Sequence, residues 1–209
     1  MRMKRSFRPI WAAILFLALT PLSSARAAEL LVGVFAHDVT FIGDLIGVGA
    51  AGREGGADLQ VGLRSERIDS LASIGRPQAH GFVSVNSDGT SNFVAAGLSW
   101  PISLPSQFYV RPGLGLAYTD GEVGLPAVNA PGLAPPEIQR RLKLYNSRID
   151  FGSHLLFQPE LSIGRVLSPR WSAELTYVHL SNGQVFARGK NQGLDDVGLR
   201  LIYKLGSIR

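Results

Sequence analysis

Apolar and polar residues alternate along most of the chain, in segments separated by stretches rich in Gly, Pro, Asn and Asp. A period of two is typical of β-strands, because successive side chains point to opposite faces of a sheet. The pattern predicts eight strands, most of them near the ten-residue length that a tilted strand needs to cross a bilayer. These strands are Leu30–His37, Asp58–Ile68, Gln78–Val85, Ser91–Trp100, Gln107–Thr119, Asp150–Val166, Arg170–Ser181 and Asp196–Leu205.

The connections between the predicted strands alternate in length. Those after the first, fifth and seventh strands are long and span residues 38–57, 120–149 and 182–195. Those after the second, fourth and sixth strands are short and span residues 69–77, 101–106 and 167–169. Long loops on one side and short turns on the other are typical of outer-membrane barrels. The connection 86–90 is a hairpin turn, and a short helix is predicted at Glu137–Tyr145.

One face of each predicted strand is apolar, and the other face mixes Gly with charged residues. In the seventh strand, for example, Trp171, Leu175 and Tyr177 alternate with polar residues. An apolar face turned toward lipid, with aromatic residues near its ends, leaves an interior of opposite charges. We therefore predict an all-β fold, an eight-stranded antiparallel transmembrane β-barrel of the outer-membrane type, without an open pore. The alternative is a soluble, lipocalin-like barrel. The predicted interior charges are Arg64, Arg111, Glu160, Glu174 and Arg200.

The first 27 residues have the organisation of a secretory signal peptide. Four basic residues precede an apolar stretch from Ile10 to Leu19, and Ala25-Arg26-Ala27 has the small-x-small pattern of a cleavage site. The apolar stretch is too short for a membrane-spanning helix, which needs about 20 residues. We therefore predict a cleaved N-terminal signal peptide, residues 1–27, and one β-barrel domain, residues 28–209.

Removal of this segment changes the charge of the chain. It holds five of the 21 Lys and Arg residues and none of the 16 Asp and Glu residues, so the mature chain is formally neutral. The basic pI of about 9.9 therefore does not indicate nucleic-acid binding, and we expect no nucleic-acid partner. The chain has no Cys, so an exported form must close its hydrogen-bonded fold without disulfides.

His179 and Ser181 form a candidate catalytic pair on the seventh predicted strand. They are two residues apart and share a face with Tyr177, which belongs to the apolar stripe. A His and a Ser at the top of such a stripe are poorly placed for stability but well placed to meet a substrate in the membrane. Asp195 follows 14 residues after Ser181, and antiparallel pairing of the last two strands returns it beside His179.

These residues supply a nucleophile, a base and an orienting acid. Ser181 would attack, His179 would accept its proton, and Asp195 would hold the imidazole in the required tautomer. Asn191 would donate a hydrogen bond to the oxyanion, because backbone amides in the strands are committed to the sheet. Asp196 is the alternative acid, although its parity points into the barrel.

The remaining histidines and motifs indicate no other chemistry. His37, His80 and His154 lie on separate strands without metal-ligand spacing, so we interpret them as structural and expect no metal and no cofactor. The sequence contains no nucleophile elbow, phosphate loop or zinc motif. A lone His-x-Ser is common, and its spacing alone leaves open a non-catalytic barrel for adhesion or envelope integrity.

Two short motifs flank the last long loop. They are His179-Leu180-Ser181-Asn182 and Asn191-Gln192-Gly193-Leu194-Asp195. Together they resemble the C-terminal signature of the lipid A 3-O-deacylase (PagL) family, in which His-x-Ser-Asn precedes Asn-x-Gly-φ-acid and a final strand. The resemblance implies that Ser181 is the nucleophile, His179 the base, Asp195 the acid and Asn191 the oxyanion donor. The resemblance also makes Asn182 a supporting residue. The acid in the best-studied members is Glu, whereas the matching residue here is Asp195.

The resemblance implies that residues 28–209 form a deacylase domain in the outer membrane. This serine hydrolase would remove the 3-hydroxyacyl chain ester-linked at position 3 of lipid A, so its partners would be lipopolysaccharide and outer-membrane lipid. An acyltransferase that moves the chain to another acceptor is the alternative enzyme. With both termini periplasmic, the seventh strand runs outward across the membrane. Its end at Ser181 is therefore expected level with the outer leaflet. The sequence leaves open whether the barrel forms a homodimer.

Overall fold

The computed structural model describes residues 27–41, 45 and 52–205, which form a closed antiparallel β-barrel. The predicted signal peptide lies outside this part of the chain, except for Ala27 at the start of the first strand. Neighbouring strands of the wall pair in order, and pairings of β1 with β9 and of β4 with β6 close it. β5 pairs only with the start of β6, so the wall has eight strands. The strands are β1 (Ala27–Ala36), β2 (Ala57–Arg67), β3 (Gln78–Asn86), β4 (Phe93–Ser99), β5 (Ile102–Ser103), β6 (Phe108–Thr119), β7 (Leu155–Val166), β8 (Trp171–Leu180) and β9 (Leu194–Lys204).

The eight strands of the wall match the eight strands that the alternation predicts, with shifts at their ends. The largest shift concerns the predicted strand Asp150–Val166, which begins only at Leu155. Residues 149–151 do not continue the strand, because they are buried in the interior of the barrel. Asp195 directly precedes the predicted strand Asp196–Leu205, and in the structure it is the second residue of β9.

An α-helix and a 3-10 helix lie in two of the connections between strands. The predicted helix is confirmed as α1 (Pro135–Ser147). It begins with two prolines, which are favourable there because a backbone N–H group in the first turn would have no intrahelical partner. Glu137 pairs with Arg140 and Arg141 at 2.7 Å, and these guanidinium groups lower the pKa of Glu137 to about 2. A 3-10 helix spans Asp69–Ile74. No helix in the described part of the chain is long and apolar enough to cross a membrane.

The outer face of the wall is apolar, as the alternation predicts. Aromatic residues lie near both ends of this face: the rings of Trp171 and Tyr203 are 4.7 Å apart at the end that holds the chain termini, and Tyr118 stacks on His154 near the other end. This distribution is typical of a lipid-facing surface with interfacial girdles. Exposed apolar side chains on this face include Val34, Leu59, Val61, Leu63, Leu114, Leu116, Leu161, Ile163, Leu175, Leu199 and Leu201.

The inner face holds a buried charged network in the half of the barrel nearer the termini. Glu174 is at its centre and accepts hydrogen bonds from Arg111 and from the Tyr109 hydroxyl, both at 3.0 Å. Arg64 bridges Glu174 at 3.3 Å and Glu29 at 2.9 Å. Each carboxylate therefore faces a guanidinium, which is the condition under which buried charges are tolerated. All five predicted interior charges are buried, namely Arg64, Arg111, Glu160, Glu174 and Arg200.

Replacement of Glu174 by Gln is expected to destabilise the barrel by about 3–5 kcal/mol, because it leaves Arg64 and Arg111 buried without their shared counter-charge. Urea unfolding of the refolded barrel, followed by tryptophan fluorescence, measures this loss. Glu122→Gln is the matched control, because its side chain is exposed and forms no ion pair among the described residues, and it should leave the unfolding midpoint unchanged. Equal midpoints for Glu174→Gln and the unmodified chain would contradict a stabilising network.

The other half of the interior holds an apolar cluster beside buried polar residues, which corrects the expectation of a uniformly polar lumen. We call this end of the barrel, opposite the chain termini, the loop end. Ile149 and Phe151 enter the barrel from the long connection before β7 and pack with inward residues of the strands. This packing supports the inner side of β8 directly behind its last residues. The apolar cluster comprises Phe35, Phe82, Phe93, Ala95, Ala117, Ile149, Phe151, Leu156, Val178, Leu180 and Leu194.

Candidate active site

β8 and β9 bring His179 and Asp195 together at the loop end. The two strands pair antiparallel, and their register places His179 directly opposite Asp195. The inward neighbours Val178 and Leu180 belong to the apolar cluster, so His179 itself lies on the outer, lipid-facing side of the wall. The proximity that parity and antiparallel pairing predict is therefore present.

The imidazole of His179 is oriented by a single carboxylate oxygen. Its Nδ1 lies 2.5 Å from Asp195 Oδ1, and the Tyr177 hydroxyl donates to the same oxygen at 2.9 Å. Asp195 is completely buried, whereas the His179 side chain is 14% exposed. A short, charge-assisted hydrogen bond of this kind fixes both the ring orientation and the position of its proton. Nε2 of His179 has no hydrogen-bond partner among the described residues.

Asp196 lies on the opposite face of β9 and does not contact His179. Its carboxylate is inside the barrel, 3.5 Å from Nδ1 of His37, and accepts a hydrogen bond from the backbone N–H of Asp38 at 3.3 Å. Of the two neighbouring acids, only Asp195 meets the imidazole. Its short side chain is sufficient because the register places it directly across from the histidine.

Ser181 follows the last residue of β8 and is held by the backbone of β7. Phe157 N–H donates to the Ser181 carbonyl at 2.7 Å, and Ser181 N–H donates back at 3.2 Å. In the same register Pro159 falls opposite His179, and because it has no N–H the ladder is interrupted there. No hydrogen bond among the described residues joins Ser181 Oγ to His179. The structure thus joins His179 to Asp195 and places half-buried Ser181 two residues further along the same face.

Asn182 and Asn191 hold the loop between β8 and β9 in place. Asn191 Oδ1 accepts a hydrogen bond from the Asn182 backbone N–H at 2.8 Å. The Asn182 side chain is completely buried and donates to the carbonyls of Phe151 and Lys190 at 2.6 and 2.7 Å. Asn182 therefore links this loop to the segment that enters the barrel. Because Asn191 uses its oxygen in this contact, its amide nitrogen remains available as a donor.

Gly193 lies against the imidazole of His179. A Cβ at this position would be 2.8 Å from His179 Cε1 and 3.6 Å from Nδ1. Real side-chain contacts are not this short, so only a residue without a side chain allows the ring to rest here while Nδ1 faces Asp195. The glycine between Asn191 and Asp195 therefore has a steric role in the site.

Replacement of Gly193 by Ala is expected to lower, by about 10–100-fold, the ester hydrolysis that the sequence predicts, because a displacement of the imidazole by about 1 Å is costly in a positioned site. The fold should survive, since the atom that must move is at the end of a side chain. Activity and the melting temperature of the same preparation measure the two effects separately. Gly55→Ala is the matched control, because its added Cβ would lie 3.8 Å from the nearest atom. Full activity of Gly193→Ala would contradict this role.

An apolar surface borders Ser181 on its outer side. The rings of Phe157 and Phe186 are 4.7 Å apart, and Gly183 lets the loop approach to the edge of Phe157. Val185 extends this surface and is 70% exposed. These side chains offer a binding surface for a hydrocarbon chain beside the serine.

Comparison with known proteins identifies the group to which this site belongs. The family model described as "Lipid A 3-O-deacylase (PagL)" matches residues 53–204. The chain belongs to the lipid A 3-O-deacylase (PagL) family. This result confirms the family that the motifs around His179 and Asn191 indicate. No curated protein matches the chain.

Solved structures of outer-membrane barrels share the fold. The crystal structure of the outer membrane enzyme PagL is 15% identical, with a TM-score of 0.53, and the match covers 84% of this chain and 99% of that one. The crystal structure of Neisserial surface protein A (NspA) is 10% identical, with a TM-score of 0.50, and the match covers 87% and 99% of the two chains. At these identities the likeness shows the fold alone.

Family membership establishes the general activity and location of the chain. It is an outer-membrane hydrolase of the lipid A deacylase family, as the sequence predicts. Sequence reasoning gave no role in the site to three residues: Tyr177, Gly193 and Phe157. The outward parity of Tyr177, which it shares with His179, could have indicated the first of these. The contacts of Gly193 and Phe157 depend on loop geometry that no spacing rule supplies.

Proposed function

We propose that this chain hydrolyses the ester-linked 3-hydroxyacyl chain at position 3 of lipid A with Ser181 as nucleophile. The observation that supports this proposal is the hydrogen bond between His179 and buried Asp195 on the lipid-facing side of the barrel. A buried carboxylate on one ring nitrogen keeps the other nitrogen free to act as a base. The substrate is an ester held in a membrane leaflet, so its reacting carbonyl reaches this face without entering the lumen.

The reaction would proceed through an acyl-enzyme intermediate. Ser181 Oγ attacks the carbonyl carbon as its proton passes to His179 Nε2, while Asp195 stabilises the resulting imidazolium. The bond between the carbonyl carbon and the sugar oxygen then breaks, and His179 returns the proton to that oxygen. Water attacks the acyl-serine with His179 again as base, which releases a 3-hydroxy fatty acid and regenerates Ser181. The mechanism requires a hydrogen bond from Ser181 Oγ to Nε2, a contact that in many enzymes forms only when substrate is bound.

Asn191 would stabilise the negative oxygen of each tetrahedral intermediate. Its side-chain oxygen is bonded to the Asn182 N–H, which fixes the amide and leaves the nitrogen free to donate. Backbone N–H groups often form an oxyanion hole. Here the N–H of Ser181 is already paired with the Phe157 carbonyl of the neighbouring strand. A fixed side-chain donor therefore replaces a backbone one.

The apolar surface of Phe157, Phe186 and Val185 would hold the acyl chain next to Ser181. The lipid-exposed face of β7 and β8 continues this surface toward the membrane interior through Leu161 and Leu175. An acyl chain therefore keeps its hydrocarbon contacts while its ester lies at the serine. This arrangement favours a lipid substrate over a soluble ester.

Product analysis tests the proposal. The refolded chain is incubated with purified lipopolysaccharide, and lipid A and free fatty acids are measured by mass spectrometry. We expect the loss of one 3-hydroxyacyl chain from lipid A and release of an equal amount of 3-hydroxy fatty acid. An acylated acceptor in place of free acid would identify the alternative acyltransferase. Unchanged lipid A would leave the proposed activity without support and favour a non-catalytic barrel.

A covalent probe tests the identity of the nucleophile. A fluorophosphonate with a long alkyl chain should modify Ser181, because it combines a reactive phosphorus with the hydrocarbon tail that the site accepts. Peptide mass spectrometry locates the adduct, and exposed Ser147 in α1 is an internal control that should remain unmodified. An adduct elsewhere, or none at all, would argue against Ser181 as nucleophile.

A further inference from the structure

A second group of ionisable side chains lies inside the barrel, behind the His179–Asp195 pair. It contains His37 just after β1, Glu54 before β2, Asp58 in β2 and Asp196 in β9, and we call it the His37 cluster. The side chains of these four residues are completely buried. The proposed hydrolysis does not use any of them.

The hydrogen bonds of His37 leave one of its ring nitrogens facing two carboxylates. Nε2 lies 3.2 Å from Glu54 Oε2, while Nδ1 lies 3.1 Å from Asp58 and 3.5 Å from Asp196. A neutral imidazole that donates its Nε2 proton has a lone pair on Nδ1. A lone pair directed at two buried carboxylates is repulsive unless a positive charge lies between them. The geometry therefore calls for a positive charge at Nδ1, which either a proton on the ring or a bound cation supplies.

The hydrogen bonds and charges around Asp196 indicate the same requirement. Its Oδ2 is buried and has no hydrogen-bond partner, whereas its Oδ1 accepts from the Asp38 N–H. Asp58 receives hydrogen bonds from neutral donors, Ser84 and Asn86. The Arg148 guanidinium lies 3.4 Å from Glu54, on the far side of the imidazole. Among the described residues no Lys or Arg pairs with Asp58 or Asp196, although charge-paired carboxylates are the rule in a protein interior.

We propose that the His37 cluster binds a zinc ion through His37 Nδ1, Asp58 and Asp196. One ligand atom from each residue lies within 4.8 Å of the others. Zinc bonds of 2.0–2.1 Å in a tetrahedron separate the ligand atoms by about 3.3 Å, which lies between the observed separations of 3.1 and 3.5 Å. Glu54 accepts a hydrogen bond from Nε2–H of His37. A hydrogen bond of this kind, on the ring nitrogen that does not bind the metal, fixes the tautomer of a zinc-bound histidine. An imidazole with two carboxylates favours zinc over magnesium or calcium.

The ion would connect three segments at the loop end: the residues after β1, the start of β2 and the start of β9. Val39 N–H already donates to the carbonyl of Asp195 at 2.8 Å, so the segment that carries His37 pairs directly with the acid of the active site. Asp196 follows Asp195 in the chain and points to the other side of the wall. Zinc in the lumen would therefore support the strand end that positions the lipid-facing site, without contacting the substrate.

Zinc titration of the full mature barrel tests this proposal. The chain is refolded in detergent micelles after chelation, zinc is added, and binding and melting temperature are measured. We expect one equivalent to bind and the melting temperature to rise by about 5 °C. Asp196→Asn should weaken binding at least tenfold. His179→Gln is the matched control, because it removes the other His–carboxylate pair and should leave zinc binding unchanged.

Cobalt(II) provides a readout that needs no variant. Four-coordinate cobalt in the cluster should give intense visible absorption bands that equimolar zinc abolishes. If cobalt gives no such bands and zinc does not raise the melting temperature, protons alone occupy the cluster and the proposal is wrong. Zinc binding that disappears in His179→Gln but persists in Asp196→Asn would place the ion at the surface and also overturn it. These measurements do not depend on hydrolysis, so they leave the proposed function untouched.

Discussion

Replacement of Ser181 by Ala is expected to abolish lipid A deacylation, with a loss of roughly a millionfold in turnover. The substitution removes the hydroxyl that forms the acyl-enzyme in the proposed mechanism, while His179 and Asp195 keep their hydrogen bond. Ser181 is bound to β7 through its backbone, and those bonds do not involve the hydroxyl. The barrel should therefore assemble and melt as before. Lipid A from cells that express each form, examined by mass spectrometry, measures the effect.

Ser147→Ala is the control for this experiment, because Ser147 lies on the exposed end of α1 and its hydroxyl donates to the Lys143 carbonyl of the same helix. It should leave deacylation at the level of the unmodified chain. Equal deacylation by Ser181→Ala and the unmodified chain, at equal amounts in the outer membrane, would remove Ser181 from the mechanism.

Replacement of Asp195 by Asn is expected to lower the hydrolysis rate about 10³–10⁴-fold while the fold is retained. The amide has the shape of the carboxylate but carries no charge to stabilise the imidazolium that forms as Ser181 loses its proton. It can also donate to Nδ1, which would place the proton of His179 on the wrong nitrogen. The rate under saturating substrate in mixed micelles measures the loss, and circular dichroism verifies the barrel.

Asp69→Asn, in the exposed 3-10 helix near the chain termini, is the control for a generic loss of negative charge. Its rate should equal that of the unmodified chain. A fully active Asp195→Asn protein would show that the contact with His179 is not used in catalysis. That outcome would reopen the role of the acid, because Asp196 is turned away from the imidazole.

The faces of the strands could be predicted from the sequence because a period of two maps directly onto the two sides of a sheet. The interior position of Glu174 and the outer position of Leu175 both follow from this rule. The pairing of His179 with Asp195 needed only parity and one hairpin between the last two strands. Neither inference depends on loop conformation.

The rest of the interior could not be predicted because it depends on residues outside the alternating pattern. Ile149 and Phe151 were assigned to or next to a strand, yet they fold into the lumen and join the apolar cluster at the loop end. The burial of two large side chains there outweighs the ladder bonds that a longer β7 would have made. The alternation of polar and apolar residues within one segment gives no information about this balance between side-chain burial and strand pairing.

The His37 cluster was hidden for a related reason. His37 and Asp196 are separated by most of the described chain, and they meet only because β1 pairs with β9 to close the wall. His37 was interpreted as structural since no second ligand lies near it in sequence. In a closed barrel, first and last strands are neighbours, so ligand spacing along the chain is a poor guide to ligand spacing in space.

The position of His179 and Ser181 on the outside of the wall has a kinetic consequence. A reaction centre on this surface meets its substrate by lateral diffusion in two dimensions, so collisions depend on the fraction of leaflet area that lipid A occupies. Dilution with inert lipid should slow turnover, whereas a change in bulk volume at constant surface composition should not. Crowding within the leaflet, rather than concentration in solution, would then set the working rate of the enzyme.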